Sequence, residues 1–244
     1  MKYWSAEEIE DLTRRRLREY EEHTGRAIPW PWVPIEQIIE NEPFDLMIKW
    51  EHIEERPGER ILGALRPHER QIILNEVHLK LFEEKPSLER FTLGHELGHW
   101  DLFVDEAAMQ SPRLPGMDLG KPPCSFRNAD EGLVQVLFSL TDTKAEAYEL
   151  LHELQSGTRR DSPYEKRAVN RYSGSLLMPR DSVQREIDGL DLTSWATLYE
   201  LAERFGVTPT ALRVRLEELG YIFVKDGKIY RSREEYSGQR ALPL

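Results

Sequence analysis

The stretch that most restricts what this chain can fold into is Arg90-Phe-Thr-Leu-Gly-His95-Glu96-Leu-Gly-His99-Trp100. Histidines four apart share one face of an α-helix, so the spacing predicts a helix over Leu88 to about Phe103, with Ser87 as its N-cap. Phe91, Leu93 and Leu97 give that helix an apolar face. Gly94 and Gly98 each cost about 1 kcal/mol relative to alanine in a helix interior, so their presence points to the close approach of a neighbouring element. His-Glu-x-x-His arises by chance in roughly one chain in a hundred of this length. Two imidazoles one turn apart can reach one metal ion, and the intervening Glu96 can take a proton from metal-bound water. The bland alternative is a solvent-facing histidine pair.

The rest of the pattern predicts an α+β fold. Residues 5–23 read as an amphipathic surface helix. Pro29-Trp-Pro-Trp-Val-Pro34 reads as a rigid extended linker and Ile35–Asn41 as a short helix. Phe44–Trp50, Arg60–Leu65 and Arg70–Leu74 read as strands, the last two joined by a turn at Arg66-Pro67-His68-Glu69. Asp142–Gln155 reads as a helix. Another opens at Ser162-Pro163 and runs to Leu177, where Pro179 ends it. Two helices, Ser194–Phe205 and Thr208–Leu219, precede a hairpin of Tyr221–Lys225 and Lys228–Tyr230 turned at Asp226-Gly227.

Charge and cysteine usage narrow the setting. The 244 residues carry a net charge of −11, yet residues 191–244 hold eight acidic and eight basic groups, so that part is neutral. No apolar run is long enough for a membrane span, and the charged N-terminus lacks the apolar core of a secretory signal. A single cysteine, Cys124, excludes an intramolecular disulfide. A cytoplasmic location is expected.

Arg90-Phe-Thr-Leu-Gly-His-Glu-Leu-Gly-His99 resembles the "RFTLAHELGH" of the ImmA/IrrE metallopeptidases. Leu62-Gly-Ala and Ile72-Ile-Leu-Asn75 resemble the strands before it. Asn170-Arg-Tyr-Ser-Gly-Ser-Leu-Leu-Met-Pro179 resembles "NRFAAALLMP", and Leu201–Gly220 resembles the helical pair that follows. The likeness spans roughly residues 5–225, apart from 105–160, which reads as an insertion. It implies a gluzincin-like metallopeptidase domain over 1–185: a small sheet on an active-site helix, and a second, ligand-bearing helix. A helix-turn-helix-like segment over 190–230 and a tail over 231–244 follow.

By the same resemblance the chain is expected to be a zinc-dependent endopeptidase, with Mn2+ as another possible ion. Its protein substrate would be a helix-turn-helix transcriptional repressor of a stress response or of a mobile element or phage. Glu96 would be the general base, and His95 and His99 two ligands. The third ligand is open. Counting without a gap puts Lys166 in the family's glutamate slot, whereas one inserted residue, Val169, aligns Glu165 there. The alternative for Glu165 is that it only favours the first turn of its helix. Asp105, six residues after His99, is the runner-up candidate ligand, Glu146, Glu149, His152 and Asp161 are further ones, and Asn170 is expected to fix the His95 tautomer. The competing readings are an inactive regulatory protein of the same fold that binds DNA or a repressor, and an antitoxin-like partner. In the C-terminal helical pair, Thr210, Arg213 and Arg215 would be the DNA-reading residues. The reading preferred there is a hairpin packed on the main domain, since a basic footprint is lacking.

Overall fold

A computed structural model describes residues 3–55, 60–106 and 162–237. The element order is helix α1 (Ala6–Thr24), α2 (Ile35–Glu40), strand β1 (Met47–Glu51), β2 (Gly63–Arg66), β3 (Gln71–Asn75), α3 (Leu79–Glu84) and α4 (Pro86–Phe103). After the undescribed stretch come α5 (Pro163–Leu177), α6 (Arg180–Ile187), α7 (Trp195–Phe205), α8 (Pro209–Glu218), β4 (Phe223–Lys225), β5 (Lys228–Tyr230) and α9 (Arg233–Ser237). The expected helix over 142–155, the candidate ligands Glu146, Glu149, His152 and Asp161, the inserted stretch and Cys124 lie outside the described residues, apart from the first two residues of the insertion.

The sheet has the order β1-β3-β2. β1 runs parallel to β3 in the register Ile48↔Ile72, and β2 runs antiparallel to it in the register Leu65↔Ile72. Every residue of β3 is buried. A central strand covered on both faces needs such a continuous apolar run. Between β2 and β3, Pro67–Glu69 forms one 3-10 turn, and Arg70 leaves it in the left-handed region at φ 52°.

α4 and α5 are the axis of the molecule, and the two glycines of α4 set their separation. A Cβ on Gly98 would stand 3.2 Å from the Tyr172 ring, and one on Gly94 would stand 2.5 Å from Ser173 Oγ. Both are on the α4 face that meets α5, as i,i+4 spacing requires. α1 packs on the same α5. Tyr172 Oη donates to Asp101 Oδ2 at 2.8 Å, and Asp101 also receives Arg16 Nε at 3.1 Å. One network thus joins α1, α4 and α5 around buried groups. Burial and the Asp101 carboxylate together hold the Tyr172 hydroxyl well above its ordinary pKa.

A second buried staple joins the C-terminal helices to this axis. Arg90 on α4 donates from Nε to Gly206 O at 3.0 Å and from Nη2 to Val33 O at 2.7 Å, while its guanidinium lies 3.7 Å from the centre of the Trp32 ring. Gly206 ends α7 at φ 64°, and Trp32 occupies the space a Cβ would need there. Only glycine meets both demands.

Several local expectations change. α4 starts at Pro86 with Lys85 as N-cap, not at Leu88 with Ser87, because proline fits a first helical turn. Pro179 ends α5 but also opens α6, which the sequence did not announce. α3 and α9 were likewise unforeseen. The molecule is mixed α+β, but the expected architecture of an HExxH active-site helix facing a ligand-bearing helix is corrected. Among the described residues no group of three or more His, Cys, Asp or Glu side chains could hold a metal ion. α4 and α5 are packing partners, not the two walls of a metal centre.

Candidate functional site: a cleft between α4, α5 and α8

His95, Glu96 and His99 are all buried in α4, at 5%, 2% and 0% exposure, so the solvent-facing histidine pair is excluded. The two rings meet edge to face, and their Nε2 atoms are 3.2 Å apart. His95 Nδ1 lies 2.9 Å from Asn170 Oδ1 on α5. An amide oxygen only accepts, so a neutral His95 carries its proton on Nδ1 and leaves Nε2 bare. The two Nε2 atoms are within hydrogen-bond distance, and the His95–Asn170 contact joins α4 to α5.

Glu165 is buried at 2% and belongs to a capping box. Its Oε2 accepts from the Ser162 N–H at 2.8 Å, and its own N–H donates to Ser162 Oγ at 3.2 Å. Such reciprocal bonds satisfy two of the orphan donors at a helix start. Asp105 is exposed, past the end of α4 at Phe103. Beside His95 and Glu96 is a small cavity of about 220 Å³, also lined by Leu62, Thr92, Lys166 and Asn170. Lys166, the residue in the ungapped ligand slot, therefore borders the space next to the histidines. A protonated amine offers no lone pair and repels a cation.

These placements correct the sequence-based reading. With no three-donor group among the described residues, the expected Zn2+ or Mn2+ centre is not supported. The assignment as a metallo-endopeptidase of the ImmA/IrrE type, gluzincin-like and zinc-dependent, falls with it.

Leu88, Phe91 and Asn170 also line a larger, separate cleft of about 600 Å³. Ile9 and Trp4 from the start of the chain, Tyr164 and Ala168 from α5, and Ala211 and Val214 from α8 give it apolar walls. Val214 is 42% exposed. Arg167, Arg171 and Glu218 also line the cleft, Arg171 and Glu218 bonded to each other at 3.1 Å, while Lys166 lines the smaller cavity. Among the described residues Lys166 and Arg167 form no ion pair, although the chain as a whole is strongly acidic.

α8 is held over this cleft by its own arginine. Arg215, only 2% exposed, forms a two-pronged ion pair with Glu10 of α1 and donates from Nε to Met178 O at 2.9 Å. Arg213 pairs with Glu217 at 2.7 Å, and Thr210 lines the cleft. The side chains considered for reading DNA are thus turned to intramolecular work or to the cleft wall. Sequence reasoning missed Trp4, Phe91, Ala211 and Val214 as a set, because they come from segments up to 210 residues apart. Only the exposed basic run Lys166-Arg167 at the start of α5 was available as a signal.

No helix among the described residues is long and apolar enough to cross a membrane. In comparisons with known proteins, the chain matches no family model, and no curated protein matches it.

Proposed function

We propose that this chain is a protein-binding, regulatory module that receives a segment of a partner polypeptide in the cleft between α4, α5 and α8. The observation that carries this reading is the cleft itself: about 600 Å³, largely apolar in its walls, with Arg167 on its lining outside any ion pair among the described residues. That volume is within the range of pockets that bury most of a ligand, and aromatic anchors beside arginine are the typical energetic core of protein recognition. The occupant is a short segment with one or two apolar anchors flanked by Asp or Glu. Its anchors would fill the space between Phe91, Ala168 and Ala211. Its carboxylates would pair with Arg167 and Lys166.

A transcriptional repressor, the partner named by the family resemblance alone, is kept only as one candidate occupant. DNA binding is not favoured, because Arg215 is buried against Glu10 and Arg213 is paired with Glu217. The cytoplasm is the proposed location, resting on the lone cysteine. Selection of a random dodecapeptide phage library on the full chain tests the reading. Enrichment of apolar, acid-flanked peptides that fail to bind Ala211→Trp is the expected result. Enrichment that is equal on both proteins removes the cleft from the function.

A further inference from the structure

A second cavity, of about 470 Å³, lies on the opposite side of α5's C-terminal end, between α1 and α6. Arg14 and Arg18 of α1 line it, as do Arg180 and Arg185 of α6 and the ring of Trp30. From this placement we infer that the cavity is an anion site for a phosphate-bearing small molecule, with the phosphoryl group seated on the first turn of α6.

Two independent features converge there. The first is an open helix start. α6 has Pro179 as its N-cap and no side-chain cap, and its first intrahelical bond runs from Val183 N to Pro179 O at 2.9 Å. The N–H groups of Arg180, Asp181 and Ser182 precede that bond. Unused amides at the positive end of a helix form a ready anion seat. The second is Ser182, one of those three residues. It is 1% exposed, it lines the cavity, and its hydroxyl has no hydrogen-bond partner among the described residues. A buried hydroxyl ordinarily has one, so this oxygen is a donor held ready for a ligand.

The charges around the seat favour the same ligand. Three carboxylates also line the cavity, and two are engaged elsewhere. Glu10 is bonded to Arg215 and to Ser175 Oγ at 3.0 Å, and Glu21 accepts from the Ile28 N–H at 2.8 Å. Asp181 remains, in the first turn of α6. Arg14 pairs with Asp11 at 3.1 Å, and Arg185 donates to Asp181 O at 3.3 Å. Arg18 and Arg180 form no ion pair among the described residues and are exposed. Guanidinium groups match the oxygens of a phosphoryl group in geometry as well as charge. The cavity exceeds what a single phosphate fills. Trp30, 37% exposed, offers a flat wall for an attached ring.

Isothermal titration of the full chain with pyrophosphate and, separately, with AMP tests the assignment. Saturable binding of at least one is expected, weakening with added salt. Arg180→Gln should reduce affinity by about tenfold and Ser182→Ala by about fivefold, the scale of a lost charge-assisted bond and of a lost hydroxyl contact. Thermal melts of both variants should stay close to the parent, since among the described residues neither side chain carries a hydrogen bond or ion pair and Arg180 acts on Glu10 only through its charge. Tighter AMP binding, reduced in Trp30→Ala, assigns the site to a nucleotide. Equal affinities assign it to the inorganic anion. Binding of neither probe, or unchanged affinity in both Ser182→Ala and Arg180→Gln, overturns the site.

Discussion

Arg215 and Glu10, 205 positions apart, form a buried ion pair that clamps α8 against α1 and so fixes one wall of the cleft. The Glu10 side chain keeps only 11% of its surface exposed and that of Arg215 only 1%. Removing one partner leaves the other charge buried and alone. Glu10→Ala or Arg215→Ala should therefore cost about 3 kcal/mol in urea unfolding. A double variant, Glu10→Met with Arg215→Met, should recover most of that loss.

The same pair sets an acid limit on stability. Burial raises the Glu10 pKa, but the Arg215 hydrogen bonds and charge, with the Ser175 hydroxyl, outweigh it and leave the carboxyl below its ordinary 4.5. The unfolded chain then binds a proton that the folded chain does not, so stability rises with pH across that interval. The contribution is complete above about pH 4.5 and disappears as pH falls through the lower, folded value. Urea midpoints between pH 6 and pH 3 should fall less steeply in the double methionine variant than in the parent. Parallel curves would show that the pair is not the titrating element.

The contact of α4 with α5 leaves no room for a methyl group at Gly94. Its Cβ would stand 2.5 Å from Ser173 Oγ and 3.4 Å from the Ser173 Cα. Gly94→Ala should destabilise by about 1–3 kcal/mol despite alanine's better helix propensity. Adding Ser173→Ala should restore part of it. A stabilised Gly94→Ala in a thermal melt would mean that the helices are further apart than described.

The donor set beside His95 and His99 predicts a low metal content. Inductively coupled plasma mass spectrometry of the purified, dialysed chain should find zinc and manganese well below one ion per molecule. One tightly held ion per chain, lost in His99→Ala, would reverse the correction made to the metal-centre reading.

Parts of this molecule could be read directly from its residues. The apolar run Ile72-Ile-Leu74 marked the central strand, and Ser162-Pro-Tyr-Glu165 spelled a helix start. Gly94 and Gly98 announced a close neighbour, which is α5. The site was harder. Glu165 satisfies both a capping-box pattern and a ligand pattern, and in the structure its Oε2 accepts from the Ser162 N–H. Spacing brings His95 and His99 together but says nothing of a third donor. Arg215 looks like a surface basic residue on a helix until Glu10 is placed opposite it. Cleft walls assembled from Trp4, Phe91 and Val214 leave no local signature, because only the tertiary fold brings them into one surface.

Occupation of the cleft between α4, α5 and α8 by an apolar, acid-flanked peptide segment is measured by fluorescence anisotropy of a selected, labelled peptide with the full chain. The expected result is saturable binding that is unaffected by EDTA, lost in Ala211→Trp and weakened about tenfold in Arg167→Glu, the effect of reversing one charge facing an acidic ligand. Binding that survives Ala211→Trp unchanged, or that requires an added divalent ion, would contradict it.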